Sequence, residues 1–196
     1  MRKLLIILAA VAVLALPAAA SAHGFWWHHD HALFAKLSGT GTSFGGSSAT
    51  ASGQIVAGHV LSSGTFSASL TTDWTQSTTK TGEHGTLVCA PASLSLTLTD
   101  SASSANTESS KITGKSCTFT KTDGTVFRGF FGAGSVTGAG TLVSLSGHME
   151  RAFLMQKADG TVHGAVFAGF DGAFGRLFAS REQFAEHQDG DCGGHH

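Results

Sequence analysis

The sequence predicts an all-β protein, a single antiparallel up-and-down barrel, with a β-sandwich as the alternative arrangement. Apolar and polar residues alternate with a period of two along most of the chain, which is typical of strands that bury one face. Gly, Ser, Thr and Asp cluster between these runs, and no helical pattern of 10–15 residues separates them, so parallel βαβ units are excluded. The alternating runs predict about eight strands between His31 and Phe170. We expect them to close into a barrel or a sandwich, because closure hides the edges of the sheet.

Three segments carry the alternation most clearly. In residues 64–74 the side chains of one parity are aromatic or aliphatic and those of the other parity are Ser, Thr or Asp, and residues 93–99 alternate leucine with Ser and Thr. From residue 143 to 155 the odd positions form an apolar face, and Glu150 belongs to the opposite, polar face. Arg151 interrupts that apolar face, which predicts a strand end, a bulge or an inward polar group.

Hairpin turns are predicted at two Asp-Gly pairs. Asp123-Gly124 and Asp159-Gly160 are each flanked by strand-like runs, the combination that favours tight hairpins. The surrounding segments 121–126 and 157–162 repeat the pattern Lys-x-Asp-Gly-Thr-Val. We interpret this echo as the reuse of a favourable turn, because two copies do not define a repeat protein. Pro91 lies where the alternation changes phase, which predicts a bulge or an edge irregularity.

Segments 37–42, 64–70 and 123–138 resemble the strands and turns of secreted bacterial Gly/Thr-rich meander β-barrel proteins of unknown function. The resemblance covers residues 35–170 and rests on the style of strand and turn. It implies a barrel fold and no particular activity.

The first residues predict export from the cytoplasm. Arg2 and Lys3 precede an apolar run from Leu4 to Leu16 and a tail of small residues, the three regions of a signal peptide. The apolar run is too short for a spanning helix, which needs about 20 residues. We expect cleavage after Ala22, which leaves His23 first; the alternative cut after Ala20 leaves Ser21.

The chain is expected to divide into a signal peptide (1–22), a His/Trp-rich segment (23–34), a barrel-like domain (35–178) and a C-terminal segment (179–196). Ser180 and Gln183 have capping-box spacing, which predicts one short helix in the last segment. Loss of the two basic residues of the signal peptide changes the formal net charge from −1 to −3. Since the remaining chain shows no basic patch, nucleic acid is excluded as a partner, and no transmembrane segment is expected after signal cleavage.

The cysteines are consistent with an oxidising compartment. Cys89 and Cys117 both fall in strand-like segments, and we expect a disulfide between them. Cys192 is then left over in a polar tail. Three single pairings are open on the sequence alone.

Histidines concentrate near both ends of the chain. Imidazoles with nearby carboxylates and a thiol are the ligands of zinc, copper or nickel, so the ends could bind a divalent metal, either physiologically or adventitiously as an affinity tag does. The expected metal ligands are His23, His28, His29, His31, His187, His195 and His196.

Function is expected to be non-catalytic: a secreted binding or structural/interaction protein with a cell-surface or small-ligand partner. His-Glu-x-x-His and phosphate-loop motifs are absent from the sequence. Two alternatives stay open. One is an extracellular enzyme, with either a copper site at a mature His23 or an isomerase-like barrel cavity; the start His23-Gly24 resembles that of copper polysaccharide monooxygenases. The other is a carrier whose phenylalanines at 127–131 and 167–178 line an apolar cavity. Cleavage before Ser21 would instead place His23 third, where amine, amides and imidazole can hold copper or nickel.

Overall fold

The computed structural model describes residues 33–169, which form nine antiparallel strands and two short 3-10 helices, η1 and η2. The strands are β1 (Leu33–Gly41), β2 (Ser48–His59), β3 (Gly64–Thr72), β4 (Thr78–Gly82), β5 (Gly85–Asp100), β6 (Thr107–Lys121), β7 (Val126–Gly138), β8 (Met149–Gln156) and β9 (Thr161–Ala168). The helices are η1 (Trp74–Gln76) and η2 (Gly140–Leu145).

Eight of the strands close into a barrel. Neighbouring strands follow the order β3-β2-β1-β9-β8-β7-β6-β5-β4, and a further pairing of β3 with β5 joins the two ends. Gly64 pairs with Asp100 and Thr72 pairs with Ala92 along that seam. The predicted up-and-down barrel is therefore confirmed, and the alternative sandwich is wrong because the sheet is continuous. β4 lies outside the closed ring as an extra strand.

β5 changes its partner at Pro91. Its first part, Gly85–Cys89, pairs with β4, and its second part, Ala92–Asp100, pairs with β3. On the other side its register with β6 runs through Pro91 without a shift. The predicted irregularity is thus a change of edge partner and not a bulge. Proline suits this junction because it has no N–H to donate, and its carbonyl accepts a hydrogen bond from the Asp73 N–H at 2.9 Å.

The two predicted Asp-Gly hairpins are confirmed and share one geometry. Gly124 and Gly160 have φ values of 85° and 83°, a conformation that favours glycine. The preceding aspartates accept hydrogen bonds from the backbone N–H groups of Thr125 and Thr161 at 2.8 and 2.9 Å. The sequence echo therefore corresponds to a repeated turn that joins β6 to β7 and β8 to β9.

Side chains fill the barrel interior. Leu94, Leu96 and Leu98 of β5 and Phe66, Ala68 and Leu70 of β3 all point inward, as the alternation predicts. The largest fully buried side chains are Phe44, Phe130, Leu33, Leu37, Leu61, Leu70, Leu94, Leu96, Leu98, Ile112, Leu142 and Leu145. Each buried large aliphatic side chain stabilises the fold by roughly 1.5–3 kcal/mol relative to its exposed state, so this set dominates the stability of the barrel.

The predicted face of β8 is wrong. The strand spans only Met149–Gln156, because Gly140–Leu145 forms η2. Its even positions point inward, so Glu150 is in the interior while the outer face carries methionine and phenylalanine. The prediction was wrong because β8 has apolar residues on both faces. Ala152 and Leu154 point inward, while the larger apolar side chains lie on the outer face. Arg151 is an outward, exposed residue and marks neither a strand end nor a bulge.

Glycine allows two strands to approach closely where the sheet coils. Gly114 of β6 and Gly132 of β7 are directly opposite each other. A Cβ on Gly114 would lie 2.0 Å from the Phe131 carbonyl oxygen, nearer than any real contact. A side chain at this position would force β6 and β7 apart, which explains the glycine.

The loop between β1 and β2 closes one end of the barrel. Phe44 inserts with 2% of its surface exposed. Its N–H donates to Gln156 Oε1 at 2.9 Å, and its carbonyl accepts from Ser116 Oγ at 3.3 Å. Trp74 Nε1 donates to the Gly46 carbonyl at 2.9 Å. We call this arrangement the Phe44 plug.

A disulfide links β5 and β6, as predicted. Cys89 and Cys117 are opposite each other in the register, with Cα atoms 4.1 Å apart. Cys192 and the predicted C-terminal helix lie outside the described residues, and so do the expected signal peptide and histidine-rich segment. Within the described chain, no helix has the length and apolarity that a membrane-crossing helix requires.

Candidate binding site in the barrel interior

The seven predicted metal-ligating histidines all lie outside residues 33–169, so the metal site at the chain ends stays a prediction. Among the described residues, no three His, Cys, Asp or Glu side chains come together in a way that could hold a metal ion. The histidines of the described chain, His59, His84, His148 and His163, are spread over different elements.

The chemically distinctive feature of the interior is a pair of glutamates. Glu108 lies near the start of β6 and Glu150 near the start of β8, and both strands flank β7. In the register Glu108 is opposite Gly138 and Glu150 is opposite Gly134. Both side chains point inward and have 0% of their surface exposed. The up-and-down topology thus brings together two carboxyl groups that are distant in sequence.

No N–H donor compensates these carboxyl groups. Their four oxygens and the Ser110 hydroxyl have no hydrogen-bond partner in the described chain apart from one another. Ser110 is 6% exposed and, two residues after Glu108, lies on the same face of β6. The three side chains form the feature that we call the acid pair: Glu108, Glu150 and the adjacent Ser110.

Burial raises the pKa of both carboxyl groups. The pKa of Glu108 rises to about 9, first because burial disfavours its charged form, then because of the Glu150 charge and a hydrogen bond between the two carboxyls. Burial also raises the pKa of Glu150, while the nearby Ser110 hydroxyl and Glu108 act in the opposite direction.

These pKa shifts explain the lack of partners. Two ionised carboxylates offer no donor to each other, whereas a protonated Glu108 can donate to Glu150. At neutral pH the pair therefore holds a proton. The Ser110 hydroxyl lowers the pKa of Glu150 without meeting the geometry of a regular hydrogen bond.

The segment η2 covers this end of the barrel. Leu142 and Leu145 are 2% and 1% exposed, and η2 directly follows β7, which carries the glycines opposite both glutamates. Asn106 holds η2 in place, because its Oδ1 accepts from the Thr141 N–H at 3.1 Å and its Nδ2 donates to Asp100 Oδ2 at 3.0 Å. We call η2 with these contacts the η2 cover.

Glu108 is not among the residues that the sequence predicted to be functional, and Glu150 was predicted on the wrong face of its strand. The alternation of β6 did indicate which of its faces is buried. Glu108 and Ser110 lie on the same face as Ile112, whereas Lys111 and Lys115 lie on the opposite face. Two lysines on one face indicate that the other face is buried. The apolar outer face of β8 concealed the equivalent information for Glu150.

No protein-family model, curated protein or solved structure matches this chain.

Proposed function

We propose that this chain is an exported, non-catalytic binding protein that holds a hard divalent cation at the acid pair, with Ca²⁺ as the best-suited ion. One observation carries the proposal: two adjacent carboxyl groups and a hydroxyl are buried in the barrel, and the described chain offers them no hydrogen-bond partner or counter-charge outside this group. The barrel then acts as a rigid scaffold that preorganises these oxygens.

The energetics favour a cation as ligand. A buried, ionised carboxylate is unfavourable by several kcal/mol unless a counter-charge compensates it, so the pair must hold either a proton or a cation. Two bidentate carboxylates and the Ser110 hydroxyl offer five oxygens, and Ca²⁺ takes six to eight oxygen ligands. An all-oxygen site suits Ca²⁺ and Mg²⁺ and disfavours the softer ions that prefer nitrogen and sulfur.

The terminal histidines form a separate proposal with different chemistry. Imidazoles near either end of the mature chain would bind zinc, copper or nickel. The isomerase-like and carrier alternatives, which need a cavity, have less support, because large buried side chains such as Leu96 and Phe130 occupy the described interior. The copper-site alternative concerns His23, which lies outside the described residues, and stays a prediction. Phe127, Phe131 and Phe167, which the carrier alternative placed in a cavity, point outward.

Calorimetric titration of the mature chain with Ca²⁺ tests the proposal. At about pH 7.5 we expect one ion per chain with a dissociation constant between roughly 10⁻⁵ and 10⁻³ M. Binding should release about one proton, because the cation displaces the proton on Glu108. Titrations in two buffers of different ionisation enthalpy measure that release.

Matched variants show whether the acid pair is the site. Glu108→Gln and Glu150→Gln should each weaken Ca²⁺ binding at least tenfold, whereas Glu83→Gln, at an exposed position in the β4–β5 turn, should leave it unchanged. Absence of heat and of thermal stabilisation at about 10 mM Ca²⁺, or equal binding by all three variants, would contradict the proposal. A Zn²⁺ titration of the same variants reports separately on the terminal histidines.

A further inference from the structure

The outside of the barrel has an apolar half. On β1, β7, β8 and β9 the outward positions include six large apolar residues, which we call the phenylalanine face: Phe34, Phe131, Met149, Phe153, Met155 and Phe167. The outward positions of β3 and β5 on the other side carry Thr65, Ser67, Ser69, Thr71, Ser93 and Ser95.

Pairs of large apolar residues lie next to each other on this face. Phe131 is directly opposite Phe153 on the neighbouring strand, and Phe34 is opposite Phe167 with ring centroids 5.1 Å apart. Phe131 is 46% exposed and Met149 is 51% exposed. The exposed Arg151 lies among them, directly opposite Phe167. A mainly apolar surface of this kind is typical of a surface that another segment covers.

We propose that residues 170–185 of the same chain dock on the phenylalanine face. β9 lies between β1 and β8 in the middle of this face, and the chain continues from it. Gly169 has a φ of 77°, and its N–H donates to the Met149 carbonyl at 3.3 Å. The glycine therefore redirects the chain beside Met149, a member of the face.

The sequence of this segment fits an apolar surface. Phe170, Phe174, Leu177 and Phe178 recur at the spacing of a helical stripe. The segment also contains Asp171, whose negative charge is complementary to the positive charge of Arg151, an exposed residue on the outer side of β8.

Tethering favours this occupant over a second copy of the chain. A segment joined directly to β9 has an effective concentration in the millimolar range. A separate molecule at micromolar concentration would bind about a thousandfold less often with the same contacts. Docking of the chain's own segment also hides the apolar surface that would otherwise promote association.

A crosslink in the full-length chain tests the docking. Cys192→Ser removes the leftover thiol, and Ala133→Cys on β7 with Ala173→Cys in the segment adds a pair that preserves every phenylalanine. We expect an intramolecular disulfide in more than half of the molecules under mild oxidation, with Ala173→Cys/Ser93→Cys as the control that does not close. A dominant intermolecular product would overturn the proposal in favour of a second copy, and no product would overturn it altogether.

Apolar-dye fluorescence provides an independent readout. Phe174→Ser/Phe178→Ser should raise the fluorescence of bound dye at least threefold and leave the barrel circular dichroism unchanged, whereas Ala179→Ser, on the opposite side of the stripe, should not. On the barrel, Phe131→Ser should weaken the crosslink, but Val143→Ser, which is 63% exposed in η2 and off the face, should not. Equal fluorescence of the double variant and the Ala179 control would contradict the docking.

Discussion

The two ends of the barrel interior both bury polar side chains, but they satisfy them differently. At the Phe44 plug, Gln156 is 3% exposed and uses its whole amide: Oε1 accepts from the Phe44 N–H at 2.9 Å, and Nε2 donates to the carbonyls of Gly41 and Thr42 at 3.2 and 2.7 Å. At the other end, the carboxyl oxygens of Glu108 and Glu150 have no hydrogen-bond partner in the described chain outside the acid pair.

The difference separates structure from function. A buried polar group with all its partners fixes a unique packing, and Gln156 does so by holding the plug loop. Buried atoms without partners occur beside the plug as well, at Thr72 Oγ1 and Arg128 Nε. Only the acid pair buries two carboxyl groups, which need a proton or a counter-charge. We therefore call the plug end of the barrel its structural end, and we call the acid-pair end, where we propose that a cation binds, its functional end. Substitutions at the two ends should consequently change stability in opposite directions.

The largest expected effect is at the structural end. Gln156→Leu keeps the volume but leaves the Phe44 N–H and two loop carbonyls without partners. Each unsatisfied buried group is unfavourable by about 1–3 kcal/mol, so we expect a loss of about 4 kcal/mol in the free energy of unfolding, measured by urea denaturation. Gln54→Leu, at an exposed position of β2, is the control and should change stability by less than about 0.5 kcal/mol. Equal losses in both variants would show that Gln156 does not hold the plug.

The same contrast explains what the sequence could predict. β3 and β5 alternate leucine or phenylalanine with Ser and Thr, so one face is clearly apolar and their orientation follows. β8 has apolar residues on both faces because its outer side belongs to the phenylalanine face. The alternation of β8 therefore predicted a strand but did not show which of its faces points inward. Hydrophobicity identifies an inner face only where the outer face is polar.

The candidate site was less predictable than the fold. Glu108 and Glu150 belong to different hairpins, and only the register across β7 brings them together. A single sequence contains no information on that register beyond the Asp-Gly turns that set it. The disulfide was predictable because both cysteines fall in strand-like segments and the predicted export favours pairing.

The second expected effect, opposite in sign, is at the functional end. Glu108 has a folded pKa of about 9, above its ordinary value of 4.5, so between these values the folded protein holds a proton that the unfolded chain has released. Stability from this group is therefore lost as pH rises through that range, by up to about 1.4 kcal/mol per pH unit. Glu108→Gln does not titrate and should be more stable than the wild type by about 2 kcal/mol at about pH 6, with little difference at pH 4.5.

Urea denaturation of the metal-free protein at several pH values measures this difference. Glu83→Gln, which changes the same charge at an exposed position, should follow the wild-type profile. A wild-type free energy of unfolding that does not fall between pH 5 and 9, or a Glu108→Gln variant that falls with it, would show that the pair does not hold a proton. The acid pair would then resemble the plug, with partners in the folded state.

The smallest expected effect concerns the η2 cover, which determines whether the functional end is accessible. Asn106→Ala removes the acceptor of the Thr141 N–H and the donor to Asp100, contacts worth about 1 kcal/mol of local stability. Amide exchange of Thr141 should then speed up roughly fivefold, which corresponds to that energy. Ser103→Ala removes a side-chain contact to the Ala105 N–H in the same loop and should leave the amide exchange of Thr141 unchanged.

If cations reach the acid pair through this end of the barrel, Asn106→Ala should also accelerate Ca²⁺ dissociation without altering the pair itself. A faster amide exchange with an unchanged dissociation rate would place the entrance elsewhere in the barrel.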